Sequence, residues 1–191
     1  MPTHRLLPLL SLGALVALGG GAALQAQGAS QHAGHGGAPG KPPLAWAKLL
    51  DAQGREAGRV RLAAGEHGLD GVVDVTGIAP GAHGIHLHTT GKCEAPDFAS
   101  AGGHLNPDAR QHGLQNPQGS HQGDLPDLIV GADGKGHGMF TAHTTEATIF
   151  DADGTAFVVH AAPDDGKTDP SGNSGARILC GVLEKPVKRN R

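Results

Sequence analysis

Between Leu44 and Glu184 apolar positions alternate with polar ones or gather in runs of a few residues, and Gly, Pro or Asp closes each run. Period-two alternation turns one face of a strand toward a core, and no long stretch carries the 3.6-residue spacing of an amphipathic helix. The pattern therefore predicts strands. LAWAKLLDAQGREAGRVRLAAG reads as a hairpin turning near Asp51 to Gly54, LDGVVDVTGIAPG as a strand ending at Pro80 and Gly81, and GAHGIHLHTT as the next. LIVGADGKGHGMFTAH turns at Ala132 to Gly134, ATIFDADGTAFVVHA is expected as strands turning at Asp153 and Gly154, and RILCGVLE closes the series. About eight short antiparallel strands with glycine-rich turns make an all-β sandwich or barrel.

The alternation stops twice. From Gly91 to Asp127, and again over PDDGKTDPSGNSGA, the chain is rich in Gly, Pro, Asn, Gln and His and has no period. An irregular stretch of roughly forty residues inside a compact domain is commonly functional or externally braced.

Composition frames the domain. The chain has 191 residues, 32 of them Gly and 13 Pro, with 3% aromatics, which suits one loop-rich β domain with appendages. Residues 1–26 have one positive charge, an apolar run and small residues, and are expected to be a secretory signal peptide cut after Ala23 or Ala26; an uncleaved membrane anchor is the alternative. Residues 27–43 read as a Gly/Pro/His linker, where His32 and His35 either stay solvated or hold a metal loosely. Residues 44–184 form the domain and 185–191 a basic tail. With 15 Lys and Arg against 18 Asp and Glu, the chain is a poor partner for nucleic acid. Export would allow Cys93 and Cys180 to form a disulfide closing a long loop.

Candidate chemistry sits where the pattern is odd. In GIHLH, His86 and His88 project from one strand face while Ile85 and Leu87 turn the other way, and His160 ends FVVH on a strand that could lie alongside. The first irregular stretch holds His104, His112, His121 and Asp124, a ligand set suited to tetrahedral zinc, and binding would supply the missing brace. Three imidazoles from strands and one from the loop suit Cu(II).

Taken in order, GIHLH, GGHLNP, RQHG, SHQGDL, FVVH followed by DD, and GARILCG resemble the copper/zinc superoxide dismutases over about Leu44 to Glu184. The resemblance implies an eight-stranded antiparallel Greek-key barrel, or flattened sandwich, with two long functional loops. It implies copper on His86, His88, His104 and His160, and zinc on His104, His112, His121 and Asp124, with His104 shared and acting as a proton carrier. Asp164 would join a copper-side and a zinc-side histidine, Arg177 would be the active-site arginine, and Cys93 and Cys180 would form the intrasubunit disulfide.

The activity implied is conversion of superoxide to dioxygen and hydrogen peroxide in an exported enzyme of the periplasm, cell envelope or medium, with no stable membrane span once the leader is removed. Monomer and homodimer both stay open. The alternative is a non-catalytic copper/zinc binding or delivery module on the same scaffold. Gln122, where an apolar residue is common in that family, is expected to loosen the turn presenting His121 and Asp124. Lys167 either adds to an attractive field or is merely solvated, His83 is structural, and His67, His137 and His143 have no assigned role.

Overall fold

The computed structural model describes residues 41–187. The expected leader, the linker up to residue 40 with His32 and His35, and residues 188–191 of the tail lie outside the described residues.

Turn chemistry sets the first hairpin. Asp51 Oδ1 accepts the backbone N–H groups of Gln53 and Arg55, both at 2.9 Å, so the residue just after β1 (Ala45–Leu50) folds the chain back into β2 (Glu56–Ala64). Then follow β3 (Leu69–Thr76), β4 (Gly81–His83), β5 (Ile85–His88), β6 (Leu128–Val130), β7 (Lys135–Ala142), β8 (Ala156–His160) and β9 (Arg177–Val182). All pairings are antiparallel, in the order β4-β6-β7-β3-β2-β1-β9-β8-β5.

The two edge strands, β4 and β5, are consecutive in the chain, separated only by Gly84, so a single bent segment closes the sheet into a nearly complete barrel. The bend adds a strand to those expected, because GAHGIHLH reads as one strand but its first part pairs with β6 and its second with β8. Glycine is required at the bend, because a Cβ there would sit 2.7 Å from Ser174 Oγ.

One expectation fails. The ATIF segment is not a strand but belongs to a one-turn helix, α1 (Glu146–Ile149), because Thr145 caps it by accepting the Thr148 N–H at 3.2 Å and Ile149 turns into the core.

The interior is mostly aliphatic, with Val60, Val73, Val75, Ile85, Leu87, Val159 and Leu179 packed together around Phe157 and Phe140. Strands β5 and β8 are buried on both faces. The outer face of β8 meets the first irregular stretch: Ala156 and Val158, with Cys180 of β9, pack against Phe98 and Ala101. His86 and His88 leave β5 on the opposite side from the core residues Ile85 and Leu87, as the alternation predicts.

Candidate metal centre

The first irregular stretch docks on the free edge of β5. Leu105 N–H donates to Leu87 O at 2.8 Å, Leu87 N–H to Gly123 O at 2.9 Å, and isolated backbone bridges pair His88 with His104 and His86 with Asp124. The approach is tight enough that a Cβ on Gly123 would lie 2.3 Å from Leu87 O. Pairing of this kind brings loop side chains beside strand side chains. His86, His88, His104 and His160 converge, as do His86, His104, His112 and Asp124, with the donor atoms of each group within 4.8 Å of one another.

Hydrogen bonds choose the tautomers. His86 Nε2 donates to Asp164 Oδ2 at 2.6 Å, His88 Nδ1 to Gly102 O at 3.0 Å, and His160 Nδ1 to Gly175 O at 3.2 Å. His112 Nε2 donates to Asp164 Oδ1 at 3.0 Å and His121 Nε2 to Arg110 O at 3.1 Å. A neutral imidazole that donates from one nitrogen presents a lone pair at the other. His86, His88, His121 and His160 thus each point a bare nitrogen inward, whereas His112 Nδ1 meets Asp124 Oδ1 at 3.0 Å. His104 differs: its Nδ1 lies 2.9 Å from Asp124 Oδ1, its Nε2 faces the other three strand-side rings, and neither nitrogen has an outward partner among the described residues.

The inward atoms fit metal ions. His86 Nδ1, His88 Nε2, His104 Nε2 and His160 Nε2 are fully buried without a hydrogen-bond partner. Four unpaired buried nitrogens would be expensive unless a cation satisfies them. On the other side, Nδ1 of His104, His112 and His121 lie 2.9, 3.0 and 3.3 Å from the single oxygen Oδ1 of Asp124. A tetrahedron with bonds near 2.0 Å has edges of about 3.3 Å, so the three edges that meet at Asp124 Oδ1 have the size a zinc cage needs. His121 falls outside the tighter cluster that includes His86, yet its buried Nδ1 has no hydrogen-bond partner and faces Asp124.

A cleft of about 450 Å³ opens over this group, lined by His88, His104, His160, Arg110, Asp169 and Arg177 among others. The Arg177 guanidinium is held at both ends, donating to Phe98 O and Gly102 O at 2.6 Å each. Lys167 is not part of this lining. The Cys93–Cys180 disulfide ties the segment bearing those two carbonyls to β9.

Residues 56–183 match the family described as copper/zinc superoxide dismutase (SODC). The chain belongs to that family. The superoxide dismutase-like protein YojM of Bacillus subtilis is 44% identical over 144 residues, 71% of this chain and 74% of the relative. A Cu-Zn superoxide dismutase of Caulobacter vibrioides is 38% identical over 148 residues, 73% of this chain and 85% of the relative. Among solved structures, a superoxide dismutase-like protein from Bacillus subtilis superposes with a TM-score of 0.70 at 42% identity, covering 73% of this chain and 97% of that one.

Electrostatics in this superoxide dismutase-family centre split by side. Burial lowers His86 to about 3, His160 to about 4, and His88 and His104 in the same direction, so these imidazoles stay neutral and ready to coordinate. Burial also acts against a charge on His112, but hydrogen bonds to Asp124 and Asp164 outweigh it and raise His112 to about 9. Both carboxylates are driven well below their ordinary values because bonds from these histidines overcome the burial that opposes ionisation.

A pH dependence follows for the metal-free protein. His86 and His160, whose folded pKa values lie below the ordinary 6.5, contribute stability that is complete above pH 6.5 and is lost as pH falls toward 3 to 4. His112 works in reverse, contributing below pH 6.5 and losing that contribution as pH rises through about 9. The urea midpoint of metal-free protein is expected to be highest between these windows and to fall on both sides; a flat profile from pH 6.5 to 4 contradicts it.

Some contributors escape sequence reading. Asp169 Oδ1 accepts the His112 backbone N–H at 2.6 Å, joining the two loops, and Arg110 brings a second guanidinium to the cleft. The RQHG motif contains Arg110, but nothing local distinguishes it from a solvated arginine. His83 is structural, bonded to His160 O and Ala79 O at 2.7 and 2.9 Å. Gln122 does not loosen its turn: its amide is bonded at both ends, to Asp108 and Thr144.

Proposed function

We propose that this protein is a superoxide dismutase, an oxidoreductase that converts superoxide to dioxygen and hydrogen peroxide. Copper would be held by His86 Nδ1, His88 Nε2, His104 Nε2 and His160 Nε2, and zinc by Asp124 Oδ1 and the Nδ1 atoms of His104, His112 and His121. The observation that carries this reading is the set of four buried, unpartnered imidazole nitrogens beneath a cleft whose wall presents an immobilised guanidinium. Copper, when bound, supplies a one-electron acceptor and donor, while zinc supplies charge and fixed geometry without redox chemistry.

The chain's own residues do the rest. Arg177 keeps a permanent charge and spare N–H donors in the cleft, and two backbone carbonyls already fix its orientation, so a small anion meets a preorganised partner. His104, with both nitrogens inward, can hold a proton at Nε2 and release it there while Nδ1 stays beside Asp124. Asp164 spans the two halves, fixing His86 with one oxygen and His112 with the other. The disulfide and the family support export, with residues 1–26 as leader and 27–43 as linker. Among the described residues no helix is long and apolar enough to cross a membrane.

The test is superoxide consumption by purified protein loaded with both metals; loaded protein that consumes none overturns the reading. A non-catalytic copper/zinc store on the same scaffold, the second reading, draws support from the superoxide dismutase-like name of a similar protein. Arg177 separates the two, because a store has no use for an anion clamp. Arg177→Ala is expected to retain both metals and to slow turnover about tenfold, a loss of roughly 1.4 kcal/mol of anion stabilisation. Unchanged turnover in that variant removes Arg177 from the mechanism.

A further inference from the structure

The turn His121–Asp124 supplies two donors of the second cage, and its two ends are held differently. Gly123 is fixed by backbone bonds with Leu87 and Leu105. The His121 end lacks such a ladder; its ring reaches Arg110 O, and its N–H returns to Asp124 Oδ2 within the same turn. Gln122 sits between them. Its Nε2 donates to Asp108 Oδ2 at 2.9 Å, and its Oε1 accepts from Thr144 Oγ1 at 2.9 Å. Thr144 is buried just beyond the end of β7, and Asp108 lies in the connection between His104 and His112. One amide therefore links the barrel wall, the segment joining two cage histidines and the turn carrying the other two cage donors.

We propose that Gln122 is a positioning residue that sets the affinity of the His104, His112, His121 and Asp124 cage for its metal ion, acting as a two-ended strut between Thr144 and Asp108. This rests on the zinc reading of the proposed function. An amide suits the task chemically, since one end must donate to a carboxylate and the other accept from a hydroxyl, and neither carboxylate nor hydrocarbon does both. Partners that orient metal ligands from outside the coordination sphere commonly alter metal affinity by 10- to 100-fold when removed. Gln122 acts through the turn backbone rather than on a ligand ring, which places it at the lower end of that range.

The test is zinc affinity of the full chain, measured by competition with a chromophoric chelator, for the unsubstituted protein, Gln122→Val and Thr144→Val. About tenfold weaker zinc binding is expected for Gln122→Val and a smaller loss for Thr144→Val, with copper affinity unchanged in both. Gln122→Glu should also bind zinc weakly, because its carboxylate faces Asp108, and adding Asp108→Asn should restore affinity by exchanging donor and acceptor. A merely structural role would lower thermal stability without this rescue. Equal zinc affinity in the unsubstituted protein and Gln122→Val, or no rescue by the exchange, overturns the strut. No zinc uptake by the unsubstituted protein overturns the zinc reading itself and the strut with it.

Discussion

Replacing Cys93 and Cys180 together by serine is expected to lower stability by about 4 to 5 kcal/mol. The bond links residues 87 apart in sequence, and the chain-entropy cost of leaving a loop of that size open is of this order. For a domain of this size the loss corresponds to a melting temperature lower by about 10–20 °C. A second consequence is local. The segment tethered by Cys93 carries Phe98, whose buried ring packs on Ala101, Ala156, Val158 and Cys180, and it carries the carbonyls of Phe98 and Gly102 that hold Arg177. With the tether cut, Arg177 keeps its charge but loses its fixed orientation. The double variant should therefore reproduce the turnover defect of Arg177→Ala at temperatures where it is still folded. Calorimetry and superoxide consumption check the two parts separately, and a melting temperature within a few degrees of the unsubstituted protein contradicts the first.

What could be read from the chain, and what could not, divides by the range of the interactions involved. His86 and His88 are legible because strand alternation alone puts both on one face, and the irregular stretch Gly91 to Asp127 is legible as something needing a brace. Arg177 and Asp164 are legible only through resemblance, since a lone arginine before ILC or an aspartate in a loop has no local signature. The bend at Gly84 is not legible because it shows only in the change of pairing partner from β6 to β8, and the crowding that excludes a Cβ there comes from Ser174, ninety residues away. The helix Glu146–Ile149 is not legible because four residues show no period, and only the Thr145 cap identifies it. Gln122 shows the limit most directly. Its polarity suggested a loosened turn, but two partners from distant parts of the chain make it a fastening.

The other large effect is expected at His104. Among the six clustered imidazoles it alone places both nitrogens inward, Nδ1 toward Asp124 and Nε2 toward His86, His88 and His160. Stacking of its ring on His86 at 3.8 Å leaves little room for another residue to take over either contact. His104→Ala should leave the first group with three nitrogens and the second with His112, His121 and Asp124, so each half retains a site but no donor residue is shared, and only the outer hydrogen bonds of Asp164 to His86 and His112 still span the two. Loss of a positioned proton donor commonly reduces a rate by about 10² to 10⁴, and a decrease of that size is expected here. Spectroscopy tests the connection independently of turnover. Withdrawing zinc with a chelator should alter the copper resonance of the unsubstituted protein and leave that of the variant unchanged. If the variant's copper resonance still responds to zinc, or its turnover falls by less than tenfold, His104 is not what joins the two halves.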